Sequence, residues 1–237
     1  MVIPLEKSYT FTNFLIKTVL LTFKVNILYN TFMETKVLSF TDNECLEIVK
    51  NNQVLAFPTE TVFGFGVIYD SKEAFDNMCS LKGRAPDKPF TIMLSKKEDI
   101  HEFVEVTEKM QKLIDKFMPG EVTFLFPIKK GLYPWLSLNQ PTVGIRISAS
   151  KDVCDLIQRV GKPMLVTSAN MSHEPAMTSY SEVLEKFNSK IEGVVKGECT
   201  SLMPSTIVLI GEELKLIRQG SISFEEIIKE WNIWNYH

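Results

Sequence analysis

The sequence predicts an α/β domain built on a single twisted, mixed β-sheet, and three observations support this fold class. The 237 residues suffice for one sizeable domain with a normal core, whereas two independent domains would each be small. Hydrophobic residues make up 45% of the chain and charged residues 23%, as in soluble globular proteins. Short apolar runs alternate with amphipathic segments, but not in the strict βαβ order of a parallel sheet, which favours a mixed sheet with flanking helices.

The individual elements follow from apolar runs and from helix start signals. Ser71, Thr107 and Ser223 each precede an amphipathic segment, so each predicts the beginning of a helix. Glu226 follows Ser223 three residues later, which is the pattern of a reciprocal capping box. Further helices are predicted from Thr41 or Asp42 and over 153–160 and 183–187. The predicted strands are 54–57, 90–94, 122–128, 142–147, 163–166, 193–195, 206–210 and 214–217.

The stretch from Phe57 to Gly66 has the character of a ligand-binding turn. A buried strand delivers Pro58 to an edge of the sheet, where proline fixes the backbone and the chain must turn. The following Thr59-Glu60-Thr61 offers hydroxyls, a carboxylate and loop amides at that strand end. Gly64 and Gly66 allow a close approach of the backbone to a neighbour or a ligand. The same pattern also fits a strand, a turn and a second strand that bind no ligand.

A second candidate site follows the predicted helix that begins at Ser71 and ends at Gly83. Lys82, Arg84 and Lys88 cluster there in a short loop punctuated by proline, where these cations cannot all be paired locally. The cluster therefore predicts a site for an anion. The alternative is a solvated basic loop at a helix C-terminus, where positive charge interacts favourably with the helix dipole.

Composition argues against several other kinds of site. The formal net charge of −3 gives no overall attraction to nucleic acid, so a polyanion would need a local basic patch. The four cysteines are far apart in the sequence and form no C-x-x-C pair, which argues against a disulfide framework or a zinc site and favours a reduced, cytoplasmic setting. The sequence has no Walker-type phosphate loop, no Ser-His-Asp set and no paired carboxylates. Its polar loop residues therefore suit the binding and alignment of anions rather than covalent catalysis.

Residues 1–32 differ in composition from the remainder, and we interpret them as an N-terminal extension of unknown role before a domain at 33–237. Lys17 and Lys24 interrupt the apolar stretch 14–29, which therefore falls short of the about 18–20 uncharged residues of a membrane span. The stretch also lacks the small-residue cleavage site of a secretory signal. The alternatives are a weak amphipathic or targeting segment, or an added strand or helix that packs on the domain.

Five motifs occur in the order found in one known family. They are Pro58-Thr59-Glu60-Thr61-Val62-Phe63-Gly64, Lys82-Gly83-Arg84, Thr167-Ser168-Ala169-Asn170-Met171-Ser172, Ser205-Thr206-Ile207-Val208 and Ile217-Arg218-Gln219-Gly220. Together they resemble the YrdC/Sua5/TsaC family of L-threonylcarbamoyladenylate synthases, over roughly Leu38 to Ile228. The chain departs from residues frequent in that family at Phe63, Ala85, Met118, Glu121-Val122 and His173. None of these departures removes a proposed polar ligand.

The resemblance implies a fold and a reaction. The fold is the YrdC-like fold, with an open concave groove lined by the motif loops. The reaction makes threonylcarbamoyl-AMP and pyrophosphate from L-threonine, CO2 or bicarbonate and ATP, for the t6A37 modification of tRNA. In it, the amine of threonine takes up CO2, and the resulting N-carboxylate attacks the α-phosphorus of ATP, with Mg2+ on the phosphates. The implied partners are the substrates, other proteins of the t6A pathway, and tRNA or double-stranded RNA, without a membrane.

The resemblance also implies roles for individual residues. The catalytic residues would be Lys82, Arg84, Ser168 and Asn170. Threonine would be bound by Thr59, Arg146, Ser168 and Ser205. The nucleotide would lie along Lys82, Arg84, Lys88, Thr142, Asn170, Thr178 and Arg218. No metal ligand is expected among the protein residues.

Two other functions stay open from the sequence. The first is a non-catalytic RNA-binding module of the same fold that uses the basic groove. The second is a carbamoyltransferase domain like those inside larger hydrogenase-maturation proteins, although the sequence shows no zinc-finger cysteines and no companion domain.

Overall fold

The computed structural model describes residues 34–83, 88–201 and 203–233. Its strands are β1 (Lys36–Leu38), β2 (Leu55–Phe57), β3 (Gly64–Ile68), β4 (Thr91–Leu94), β5 (Val122–Pro127), β6 (Thr142–Ile147), β7 (Met164–Ser168), β8 (Gly193–Val195), β9 (Thr206–Ile210) and β10 (Leu214–Arg218). Its helices are α1 (Asn43–Lys50), α2 (Lys72–Leu81), α3 (Glu108–Phe117), the short α4 (Pro134–Ser137), α5 (Lys151–Val160), α6 (Tyr180–Phe187) and α7 (Phe224–Asn232), with a 3-10 helix at Lys97–Glu102. The predicted extension, residues 1–32, lies outside the described residues.

The ten strands form one mixed sheet in the order β1-β8-β2-β3-β7-β4-β6-β5-β9-β10. The pairs β1–β8, β2–β8, β4–β6 and β5–β9 are parallel, and the other neighbouring strands are antiparallel. Helices flank this sheet, so the predicted fold class is confirmed. No helix among the described residues combines the length and the hydropathy needed to span a bilayer.

Several predicted elements agree closely with the observed ones. The bounds of β6, β8 and β9 coincide with the predicted strands at 142–147, 193–195 and 206–210. Helix α1 begins after Asp42, one of the two predicted start residues. A second strand follows the Pro58 turn, as one of the two interpretations of that stretch expects, and this strand, β3, pairs antiparallel with β2. Strand β1 was not predicted, because three residues give no clear pattern and its partner β8 lies far along the chain.

Helix capping confirms the helix starts predicted at Ser71, Thr107 and Ser223 and corrects the predicted capping box. Ser71 accepts a hydrogen bond from the backbone N–H three residues later, as expected of an N-cap. Ser223 likewise accepts one from the N–H of Glu226 at 3.2 Å. The described structure shows no return bond from the Glu226 side chain, so only half of the predicted capping box forms. The reciprocal box forms at Ser179 and Glu182 instead, which the sequence reading missed.

The strand directions bring several loops to one edge of the sheet. Strand β7 runs antiparallel to both β3 and β4, so its last residue, Ser168, pairs with Gly64 at the start of β3. Val166 of β7 pairs with Thr91 at the start of β4. The loops before β3 and β4 and the loop after β7 therefore meet at the same edge. These are the loops that carry the first three sequence motifs.

The strand register also aligns side chains in a row across the central strands. Met93 of β4 pairs with Arg146 of β6, and Thr123 of β5 pairs with Ile207 of β9. Large aromatic side chains, among them that of Phe124, are completely buried in the core. Burying each such side chain contributes about 1.5–3 kcal/mol. The core packing thus stabilises the strands that carry this row of side chains.

We predict that Gly220→Ala destabilises the domain by about 1–3 kcal/mol, the usual cost of overpacking. A Cβ atom at this position would overlap backbone atoms of Pro204 and Thr206. The N–H of Gly220 also donates to Oγ1 of Thr206 at 3.0 Å, so displacing it loses that bond. The measurement is the urea midpoint of the variant against that of the unchanged protein.

Gly211→Ala is the matched control, because the nearest atom to its added Cβ would be the backbone oxygen of Glu213 at 3.4 Å. We expect its stability to change by less than about 0.5 kcal/mol. Equal midpoints for both glycine variants would contradict the packing argument.

Candidate active site

Two adjoining cavities lie beside the central strands. The smaller encloses about 170 Å³, close to the about 150 Å³ cavity that holds a benzene molecule. The larger encloses about 570 Å³. Thr167, Ser168 and Arg218 border both cavities, which therefore meet at these residues. The polar lining of the smaller cavity includes Thr59, Thr61, Thr123, Arg146 and Ser205, and that of the larger includes Lys82, Lys88, Asn170, Ser172 and His173.

Three hydrogen bonds to the protein hold the side chain of Arg146 in the lining of the smaller cavity. Its Nη2 donates to Oε1 of Glu60 at 2.7 Å and to Oγ1 of Thr61 at 3.0 Å. Its Nε donates to the backbone oxygen of Gly120 at 3.2 Å. The Arg146 side chain is 7% exposed and that of Glu60 is 11% exposed, so this is a buried ion pair. A guanidinium has five N–H donors, so others besides these remain for a ligand.

The carboxylate of Glu60 is the best-connected anion beside the cavity. Besides the Arg146 bond, Oε1 accepts from the backbone N–H of Ala149 at 2.9 Å, and Oε2 accepts from the hydroxyl of Ser148. Burial alone would raise the pKa of Glu60, but Arg146 and these two donors outweigh it and hold the pKa below its ordinary value of 4.5. Glu60 is therefore ionised at neutral pH.

The hydroxyls of Thr59 and Thr61 form a directed chain of hydrogen bonds. Their oxygens are 2.9 Å apart, and the hydroxyl of Thr59 donates to the backbone oxygen of Val62 at 2.8 Å. Because each hydroxyl has one proton, Thr61 must donate to Thr59 while its own oxygen accepts from Arg146. Both hydroxyl protons are thus committed within the protein. The protein itself therefore fixes the orientation of the Thr59 and Thr61 hydroxyls that line the cavity.

Arg218 provides a second cation where the two cavities meet. Its Nε and Nη2 donate to the backbone oxygen of Ser205 at 3.1 and 2.8 Å. The Ser205 hydroxyl lies 3.2 Å from Nη2 and 2.9 Å from the hydroxyl of Thr123. Partial burial and the nearby Arg146 lower the pKa of Arg218. Within the described part of the chain, no carboxylate forms an ion pair with Arg218, so its charge is available to an anion.

Lys82 fastens the loop after β7 to the end of helix α2. Its Nζ donates to the backbone oxygens of Ser168 and Asn170 at 2.7 and 3.0 Å and to Oδ1 of Asn170 at 2.9 Å. The side chain of Asn170 is also held by the Ser168 hydroxyl at 2.7 Å and by the backbone oxygen of Glu174 at 2.6 Å. Since an ammonium group has three donors, these acceptors match its capacity. Lys82 therefore positions Asn170 at the larger cavity.

The structure brings most of the predicted site residues together. The four predicted threonine-binding residues, Thr59, Arg146, Ser168 and Ser205, line the smaller cavity. Lys82, Lys88 and Asn170 line the larger cavity. Thr142 and Thr178 line neither of these two cavities. Thr142 lies on the same face of β6 as Arg146, four residues or about 13 Å away. Arg84 lies outside the described residues, so its role stays a prediction.

Three residues beside the smaller cavity were not among the individual site residues predicted from the sequence. Glu60 and Thr61 belong to the first motif but were assigned nothing individually. Thr123 was missed altogether, although it is the one hydroxyl residue in the apolar run 122–126. A lone polar residue in a buried strand is a usable signal, because burying a hydroxyl is costly without a partner.

We predict that Glu60 makes the domain sensitive to acid. Its pKa is lowered in the fold, so its contribution to stability is present above the ordinary value of 4.5 and is lost as pH falls through the folded pKa. Between about pH 6 and about pH 3, the urea midpoint of Glu60→Gln should therefore fall less than that of the unchanged protein.

Glu192→Gln is the control for this measurement. Burial raises the pKa of Glu192, so its titration contributes with the opposite sign. This control should therefore show an acid-induced loss no smaller than that of the unchanged protein. An equal loss in Glu60→Gln and the unchanged protein would contradict the prediction.

Comparison with known proteins identifies the family of this chain. Residues 47–220 match the Sua5/YciO/YrdC family model, which is described as "Telomere recombination". Two relatives, each named threonylcarbamoyl-AMP synthase, are 32% identical to the chain. The Enterobacter sp. (strain 638) protein aligns over 182 residues, which are 75% of this chain and 94% of the relative. The Bacillus subtilis (strain 168) protein aligns over 187 residues, 76% of this chain and 53% of the relative, so the chain spans about half of its length.

Solved structures agree with this match. Pyrococcus abyssi Sua5 complexed with L-threonine superposes with a TM-score of 0.75 at 29% identity, over 79% of this chain and 56% of that one. Escherichia coli YciO shares the fold, with a TM-score of 0.71 at 21% identity, over 76% of this chain and 89% of that one. The family model covers more than half of the chain, and its matched range includes the loops that form both cavities. The chain therefore belongs to the Sua5/YciO/YrdC family.

Proposed function

We propose that this protein is an L-threonylcarbamoyladenylate synthase. It makes threonylcarbamoyl-AMP and pyrophosphate from L-threonine, CO2 or bicarbonate and ATP, in the cytoplasm, for the t6A37 modification of tRNA by other proteins of that pathway. Support comes from the family, from relatives named threonylcarbamoyl-AMP synthase and from the Sua5 structure that contains L-threonine.

One observation carries the proposal, namely that a small cavity with two arginines adjoins a larger cavity with lysines. The smaller has the volume for an amino acid, and its cations Arg146 and Arg218 suit a carboxylate. The larger has the volume and the basic lining, Lys82 and Lys88, that suit nucleotide phosphates. The two reactants would meet at Ser168, which borders both cavities.

In the proposed mechanism, the protein aligns anions and balances their charge. Threonine binds with its carboxylate at Arg146, beside Thr59 and Ser205. Its ammonium group loses one proton to solvent, and the resulting amine adds to CO2 and loses a second proton to solvent. An oxygen of the resulting carbamate attacks the α-phosphorus of ATP, and the bond from that phosphorus to pyrophosphate breaks. Mg2+ arrives with the ATP phosphates as part of that substrate.

The remaining residues would serve the nucleotide. Arg84 and Lys88 contact phosphate oxygens, and Asn170, Thr142, Thr178 and Arg218 lie along the nucleotide. Lys82 brings positive charge to the same place and holds Asn170 in position through two hydrogen bonds, with a third to the backbone oxygen of Ser168. Charge placed in advance of the reaction lowers the barrier without further reorganisation.

We predict that Arg146→Lys raises the KM for threonine by at least about tenfold, with a smaller change in kcat. Lysine retains the charge next to Glu60 but loses the planar fork that binds a carboxylate through two parallel hydrogen bonds, and a hydrogen bond to a charged group contributes about 1.5–3 kcal/mol. The measurement is pyrophosphate release that depends on threonine, bicarbonate and Mg-ATP.

Arg159→Lys is the matched control. Arg159 is exposed on α5 and donates to the backbone oxygens of Phe40 and Thr41, away from both cavities. Its replacement should leave both kinetic constants unchanged. Absence of pyrophosphate release from the unchanged protein would refute the proposed reaction. RNA binding that neither ATP nor threonine alters would then favour the non-catalytic RNA-binding module.

A further inference from the structure

We propose that Glu60 is a specificity-determining residue for the smaller cavity. Its carboxylate neutralises Arg146 from outside the cavity lining, which leaves the cavity one net positive charge. The cavity therefore excludes amino acids with two carboxylates. This inference rests on the proposed function, because it concerns the amino acid that the cavity accepts. The proposed mechanism gives Glu60 no part in bond making or breaking, so this role is separate from the chemistry.

The placement of Glu60 supports a role that acts through Arg146. Its neighbours Thr59 and Thr61 line the smaller cavity, whereas Glu60 itself does not. The carboxylate turns instead to Arg146, Ser148 and Ala149. Glu60 is thus close enough to set the charge of the cavity wall, but its carboxylate accepts from three protein donors and does not line the cavity, so we place it as a positioning residue rather than a substrate ligand.

The charges around the smaller cavity can be counted. Arg146 and Arg218 are the charged residues among the described residues that line it. The 2.7 Å ion pair with Glu60 offsets the charge of Arg146. Arg218 has no carboxylate partner in the described part of the chain, so its charge is not offset. The wall therefore carries a net charge that matches one carboxylate.

This balance discriminates between amino acids of similar size. L-Threonine brings one carboxylate and one ammonium group, and its carboxylate, bound at Arg146, balances the single net charge of the wall. L-Aspartate brings a second carboxylate, which would lie near Glu60 without a cation to compensate it. Specific sites commonly use such a repulsive charge against the wrong ligand. Without Glu60, the second guanidinium charge would be available to that carboxylate.

The test variant is Glu60→Gln, which removes the charge but conserves the shape. The amide oxygen can still accept from Arg146 and Ala149, and the amide N–H can donate to the hydroxyl of Ser148. Because the hydrogen bonds can re-form and Arg146 borders a cavity, we expect the variant to fold at neutral pH. A variant that fails to fold would show that the carboxylate serves the fold, and the proposal would be overturned.

The readout is the ratio of the dissociation constants for L-aspartate and L-threonine, measured by calorimetry. In Glu60→Gln this ratio should fall by at least about tenfold, since like charges a few ångströms apart repel by more than the about 1.4 kcal/mol that a tenfold change represents. A merely structural defect would weaken both ligands alike and leave the ratio unchanged. An unchanged ratio overturns the proposal.

Glu192→Gln is again the matched control. Glu192 is a partly buried glutamate that accepts from the backbone N–H of Val54 at 3.1 Å. It precedes Gly193, which pairs with Leu55 at the end of β2 opposite to Glu60. Its replacement should leave the ratio of the two constants unchanged, and a fall equal to that in Glu60→Gln would overturn the proposal.

Sulfate separates the failure of this proposal from the failure of the proposed function. If the unchanged protein binds no threonine, the synthase function fails, but the charge argument still predicts that Glu60→Gln binds sulfate at least about tenfold more tightly than the unchanged protein. If threonine binds and neither the ratio nor sulfate affinity changes, the synthase function stands and the role of Glu60 fails.

Discussion

The buried ion pair between Glu60 and Arg146 is the interaction on which the smaller cavity depends. Two charges with exposed fractions of 11% and 7% are tolerated away from water because each has further hydrogen-bond partners. In the sheet, β3, β7 and β4 lie between β2 and β6. The four strand-to-strand spacings of about 4.8 Å place β2 and β6 about 19 Å apart. The loop after β2 and two long side chains bridge that span. Arg146 thereby also fixes Thr61, which lines the smaller cavity.

The mixed topology of the sheet is the second constraint. In a purely parallel sheet, ligand-binding loops gather at the carboxyl ends of the strands. Here β7 is inserted antiparallel between β3 and β4, so the end of β7 lies beside the beginnings of its neighbours. One edge of the sheet therefore collects the Pro58 turn, the basic loop and the Ser168 loop. The two adjoining cavities form there, and the sequence has no phosphate loop of the Walker type.

Lys82 shows that burial changes the role inferred for a charged residue. In the sequence it is one of three cations in a loop and reads as a phosphate ligand. In the fold it is 3% exposed, and its ammonium group contacts one oxygen of Ser168, at the end of β7, and two oxygens of Asn170 in the loop that follows. A buried ammonium requires such acceptors, because leaving it without partners would be very costly. The lysine therefore holds Asn170 in position.

The amino-acid sequence by itself determined the fold class, most strands and helix starts, and the motif residues that gather at the cavities. Those features depend on local patterns, such as apolar runs, capping hydroxyls and short motifs, which are visible in one dimension. Only the tertiary structure decided that Glu60 pairs with Arg146, that Thr123 supports Ser205, and that Thr142 lines neither of the two cavities. These relations join strands distant in the sequence, and they depend on strand order and register, which are set by packing of the whole sheet.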